Sequence, residues 1–250
     1  MASIPLSDDY PVRRLPAVTY TLIAANVALF LLSPLSAVAF WYGGETPERW
    51  CALEGLLLQW GLIPAELLGG SDIAAWTSCP ESAPAQYAGA TLVSHVFLHA
   101  SALHLTGNMV FLFVFGPCVE DRLGRMRFLI FYLACGIAGG VAHALSGPDS
   151  ITPLVGASGA ISGVLGAYLI VQRRSQILTL LLGLLPIRLP GWVVVATYFV
   201  LQYLLYLNPT DAGTTQVAYG VHVYGFLAGV LGGLLIHRLR WRAGGRVQSH

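Results

Sequence analysis

Val155-Gly156-Ala157-Ser158-Gly159-Ala160-Ile161-Ser162-Gly163-Val164-Leu165-Gly166 opens a long apolar segment with a run of glycine and serine. Serine flanked by glycine at this spacing means one of two things. Either the backbone leaves room for something close, or another helix packs tightly there. The two are compatible, and the rest of the chain decides how they combine.

Of 250 residues, 56% are hydrophobic and only 10% charged, and the mean hydropathy is +0.68. That leaves too little polar surface for a soluble domain of this size, so the chain reads as a membrane protein. A net charge of +1 without a basic run speaks against a nucleic-acid partner. Cys51, Cys79, Cys118 and Cys135 show no metal-ligand spacing.

Outward from the opening run, apolar segments lie at about 15–41, 92–116, 128–146, 154–171, 190–207 and 217–237. Each approaches the ~20 residues that cross a bilayer. The expected fold is an all-α polytopic bundle of six transmembrane helices, with a long outer loop at 42–90 between the first and second spans. Residues 1–14 form an N-terminal tail, 15–240 the membrane domain and 241–250 a C-terminal tail. Ala37-Val38-Ala39 has the form of a signal cleavage site, but the apolar run before it is too long for a signal peptide. Pieces of the 42–90 loop, such as 53–64, are too short to span and read as interfacial or re-entrant. So does 177–189, which Pro186 interrupts and which reads as an interfacial helix before the fifth span.

Twelve of the thirteen arginines fall on one side of the six-span arrangement, and Arg49 alone falls on the other. The positive-inside rule then makes both termini cytoplasmic. The expected location is an integral position in a cell membrane, the inner membrane of a bacterium. If the outer loop faces an oxidising compartment, Cys51 and Cys79 are placed to form a disulfide.

Polar residues inside spans are expensive and concentrate in three segments. His104 and Asn108 are four apart, one helical turn, and so share a face. Ser158 lies near the outer end of the fourth span, with Ser162 a turn deeper. His222 in the sixth is followed by Gly225, Gly229 and Gly232-Gly233, and Gly159, Gly163 and Ala167 run beside the serine. Two such small-residue seams would bring Ser158 and His222 within hydrogen-bond reach. His95, His143 and His237 read as structural.

Taken together, His99 with His104 and Asn108, the Gly156-Ala157-Ser158-Gly159 run, and His222-Val223-Tyr224-Gly225 followed by Gly229 resemble the rhomboid family of intramembrane serine proteases. Glu120-Asp121-Arg122-Leu123-Gly124 is similar to the family's cytoplasmic turn. The resemblance covers roughly 15–240. It implies a Ser158 nucleophile, a His222 general base and acid, and an oxyanion site of His104, Asn108 and the Ser158 backbone N–H. His99, Gly156, Gly159 and Gly225 would support them. It further implies a transmembrane protein substrate cut near its outward end, surrounding membrane lipid, and no cofactor or metal. Two departures stand out. The Trp-Arg pair of many members is missing before the second span, where 86–91 reads Gln-Tyr-Ala-Gly-Ala-Thr, and Arg49-Trp50 lies upstream in reversed order. Ser162 occupies a position where some members carry an aromatic ring against the histidine, leaving Tyr224 or the glycine seam to support His222. A catalytically silent relative that binds membrane clients remains open, as does a small transporter or channel.

Overall fold

The computed structural model describes residues 3–36, 46–69, 77–79, 88–172, 174–181, 183–208 and 218–245, with backbone alone for 88, 237 and 239–245. Six apolar helices form the bundle: α1 (Ala17–Leu32), α5 (Ala102–Leu123), α6 (Arg125–Ser146), α7 (Ser158–Val171), α8 (Gly191–Leu207) and α9 (Tyr219–Gly245). The intervening short helices are α2 (Pro47–Trp60), α3 (Pro64–Leu67) and α4 (Ala88–Ser94). α5, α6 and the Tyr219–Ile236 part of α9 are long and apolar enough to cross a membrane, whereas α1, α7 and α8 are shorter apolar helices.

α7 is the axis of the bundle. Its 14 residues rise only about 21 Å, and every residue from Gly159 to Tyr168 is buried. A helix apolar all round belongs inside protein. Tyr168, Val164 and Leu165 join Phe115 and Leu112 of α5 and Phe128 of α6 in the core.

The fold is mostly helical but not all-α. Strands β1 (Ser3–Asp8), β2 (Gln176–Leu181) and β3 (Leu185–Pro190) form an antiparallel sheet in the order β1-β2-β3. The expected interfacial helix at 177–189 is therefore a hairpin, and part of the expected tail is a strand. Alternation explains β2, since Ile177 and Thr179 are wholly buried while Gln176 and Leu178 are not. Pro186 and Pro190 sit on β3, an edge strand, where a missing N–H costs least.

The second long helix also departs from expectation. It starts at Ala102 rather than near 92, because the Ser101 side chain caps it by accepting from the His104 N–H at 3.1 Å. Residues 88–97 form α4 and a 3-10 turn instead, so His95 and His99 do not share a helix with His104. α1 ends at Leu32 rather than continuing to 41, with Ser33-Pro34 as the stop. Residues 37–41 lie outside the described residues. So do 42–45, 70–76 and 80–87 of the outer loop, 209–217 and Arg173; 53–60 of that loop belong to α2. α9 runs past 240 to Gly245.

The arginine-bearing helix ends lie together. The Glu120 carboxylate accepts from the Val18 N–H (3.0 Å), the Thr19 N–H (2.7 Å) and the Thr19 hydroxyl (2.7 Å). The two N–H groups are orphan donors at the start of α1, where a negative charge also meets the helix dipole favourably. Arg122 donates to Gln172 at 2.5 Å and lies over the Tyr10 ring. Tyr168 donates to Asp8 at 2.9 Å, and burial pushes the Asp8 carboxyl above its ordinary value.

At the opposite end, Leu62 and Leu154 form an antiparallel bridge, and the Gly156 N–H donates to the His95 carbonyl at 2.9 Å. These bonds fix the loop that delivers Ser158. Cys51 and Cys79 are joined as a disulfide. Arg49 donates to the carbonyls of Pro34 (2.6 Å) and Ser36 (2.9 Å), tying α2 to the end of α1.

Candidate active site

Ser158 is the first residue of α7, so its backbone N–H is among the donors a helix start leaves free. Gly156, two residues earlier, has φ +128°, a region L side chains rarely enter. A Cβ there would stand 2.7 Å from His104 Cε1 and 3.0 Å from His104 Nε2. Gly156 thus lets the His104 imidazole lie over the loop beside the serine.

His222 comes from α9. Its Nε2 is 2.8 Å from Ser158 Oγ, and it is buried while Ser158 is half-buried. The glycines account for this approach. A Cβ on Gly225 would collide with the Gly159 carbonyl, one on Gly229 with the Gly163 carbonyl, and one on Gly166 with the Phe226 carbonyl. α7 and α9 therefore touch backbone to backbone through residues three and four apart. Gly233 continues the seam against Ala167, but Gly232 faces Phe131 of α6 instead.

His104 and Asn108 stand on α5. The Asn108 amide nitrogen is 2.9 Å from His99 Nε2, and the rings of His99 and His104 meet edge to face at 5.3 Å. His99 thus reaches Asn108 from the loop before α5. His95 Nδ1 bonds the Thr91 carbonyl at 2.7 Å, and His143 stands against Gly220. The His237 side chain lies outside the described residues.

Two contacts differ from the sequence expectation. Tyr224 does not support His222; its hydroxyl pairs with that of Tyr206 at 2.8 Å. The partner of the His222 ring is Gln202 on α8, whose Oε1 is 2.8 Å from His222 Nδ1. Gln202 escaped the sequence reading, although a lone amide within an apolar span is itself a signal. Ser162 is hydrogen-bonded to the Tyr198 hydroxyl at 2.8 Å.

The fold and these contacts define a class, a helical membrane protein that carries a hydrogen-bonded serine–histidine pair within its bundle. The Rhomboid domain matches residues 87–239, more than half of the chain, and the chain belongs to the rhomboid family. It is 39% identical to Rhomboid protease GluP of Bacillus subtilis (strain 168) over 161 residues, 64% of this chain and 26% of that protein. It is 30% identical to RHOMBOID-like protein 5 of Arabidopsis thaliana over 149 residues, 58% and 43% of the two. With Rhomboid-related protein 2 of Mus musculus it shares 26% identity over 224 residues, 88% of this chain and 67% of that protein. The chain spans less than half the length of the first two. Rhomboid family members are in general intramembrane serine proteases.

Proposed function

We propose that this chain is an intramembrane serine endopeptidase. It hydrolyses a peptide bond near the outward end of a transmembrane helix of another membrane protein. The observation that carries this reading is the 2.8 Å contact between Ser158 Oγ and His222 Nε2, next to two donor-bearing side chains on α5. α1, α5, α6, α7, α8 and α9 are the six spans, the three shorter ones lying among longer neighbours. The clustered arginines make their end cytoplasmic, together with both termini, in a bacterial inner membrane.

His222 Nε2 takes the Ser158 proton as Oγ attacks the scissile carbonyl, and the imidazolium then protonates the leaving amine. Water repeats the sequence on the acyl-enzyme. Negative charge on the carbonyl oxygen is met by the Ser158 N–H, His104 and the Asn108 amide that His99 holds. No cofactor takes part. Because α7 is short, Ser158 starts below the outer surface, where water enters from that side without the site facing lipid. A substrate helix hides its carbonyls, so it must unwind locally, and glycine or proline in it eases the step.

The test is cleavage of a transmembrane substrate in liposomes. Ser158→Ala and His222→Ala, equally abundant and folded, should each lose cleavage. Turnover equal to the parent's in either would overturn the reading. A parent that binds membrane clients without cutting them would make it a silent relative.

A further inference from the structure

Gln202 is an amide in the outer half of a helix that is otherwise apolar around it. Val200, Leu201, Tyr203, Leu204 and Leu207 are exposed on α8, and only Gly191, Val194 and Val195 at its start are buried. Tyr198, Gln202 and Tyr206 are spaced four apart and so share one face. Each makes one inward hydrogen bond of 2.8 Å, to Ser162 of α7, to His222 and to Tyr224 of α9 respectively. Placing an amide in a span is costly unless it is used. Its flanking tyrosines make contacts of their own, to Ser162 and to Tyr224.

From this we infer that Gln202 is a positioning residue, which fixes the tautomer and ring orientation of His222; the inference rests on the protease reading above. Oε1 carries no proton, so Nδ1 must donate to it. The lone pair of neutral His222 then lies on Nε2, facing Ser158. When the serine proton moves to Nε2, the Nδ1–H···Oε1 bond persists and becomes charge-assisted, which strengthens it. The proton leaves with the amine, and Gln202 neither gains nor loses one. A carboxylate would do the same work more strongly, but a lone buried charge is far more expensive than an amide. The titratable groups facing His222 are His104 from α5, His143 from α6 and Tyr219 on α9 itself. Ser158 of α7 and Gln202 of α8 complete its surroundings, and no carboxylate does so among the described residues.

Gln202→Met keeps the volume and removes the strong acceptor. With substrate in liposomes, kcat should fall about tenfold to a hundredfold with KM unchanged. Gln202→Glu should restore the rate and move the acid limb of the kcat–pH profile upward, because a carboxylate stabilises the imidazolium. Tyr206→Phe should leave that profile at the parent's position. The 15N spectrum of the His222 imidazole should show a protonated Nδ1 and an unprotonated Nε2 in the neutral parent, and a mixture in Gln202→Met. Parent kcat and profile in Gln202→Met, an unmoved limb in Gln202→Glu, or a parent spectrum with the proton on Nε2 would each overturn the inference. If Gln202→Met fails to fold, Gln202→Glu decides through its limb. A parent that cleaves nothing overturns the protease reading instead, and the spectrum still decides whether Gln202 sets the tautomer.

Discussion

α7 meets α9 backbone to backbone, whereas outer α8 reaches the two helices through side chains, with three hydrogen bonds and a stack of Phe199 on Phe226 at 4.4 Å. At the first interface Gly225 lies on the Gly159 carbonyl and Gly229 on the Gly163 carbonyl, with no room for a methyl group. At the second, Tyr198, Gln202 and Tyr206 each reach inward with one hydrogen bond, while most of outer α8 is exposed. Steric contact fixes where Ser158 and His222 stand. Hydrogen bonds fix how the imidazole is turned. Close packing tolerates almost no change of volume, while a hydrogen bond can be removed at modest cost to the fold.

Substitutions at the two interfaces should therefore differ in what they cost. Gly229→Val should drive a side chain into the α7 backbone and destabilise the bundle by about 3 kcal/mol or more. Thermal unfolding in detergent checks it, and an unchanged Tm would show that the seam is not tight. Asn108→Ala lies on neither interface and should cost about 10²–10³ in kcat with Tm close to the parent's. Coincident losses of both would mean that the amide is structural. Gly156→Ala must hold φ +128° against the His104 ring, a strain of roughly 1–3 kcal/mol; turnover should fall about tenfold or more with the displacement of His104. Tyr206→Phe removes one rung of the α8 ladder and should cost about 1 kcal/mol of stability with little change in kcat. An effect as large as that of Gly229→Val would place α8 on the same footing as the seam.

Much of this was legible in the sequence, because rare polar residues stand out against an apolar background. Ser158, His222, His104 and Asn108 each fall in or at the edge of an apolar segment, and the glycines at four-residue spacing announce a close helix pair. The sheet was not legible. β2 pairs with a strand from the far N-terminus, a partner that local pattern does not reveal, and an apolar run too short to span reads as a helix when its partner is out of view. The start of α5 turns on one capping serine, Ser101, within a stretch whose hydropathy is continuous. Gln202 was visible as a lone amide, yet its partner lies twenty residues away on another helix, and nothing in spacing links the two. In the sequence Glu120 stands out through resemblance alone. Its physical role, satisfying the start of α1, emerges only when α1 and α5 are side by side.

The central claim is that Ser158 is a nucleophile activated by His222. Labelling of the purified protein with a fluorophosphonate probe, followed by peptide mapping, tests it most directly. The modified peptide should carry the probe on Ser158, and His222→Ala should abolish the labelling while the protein stays folded. Labelling that persists undiminished in His222→Ala, or a well-folded parent that takes no probe at Ser158, would contradict the account.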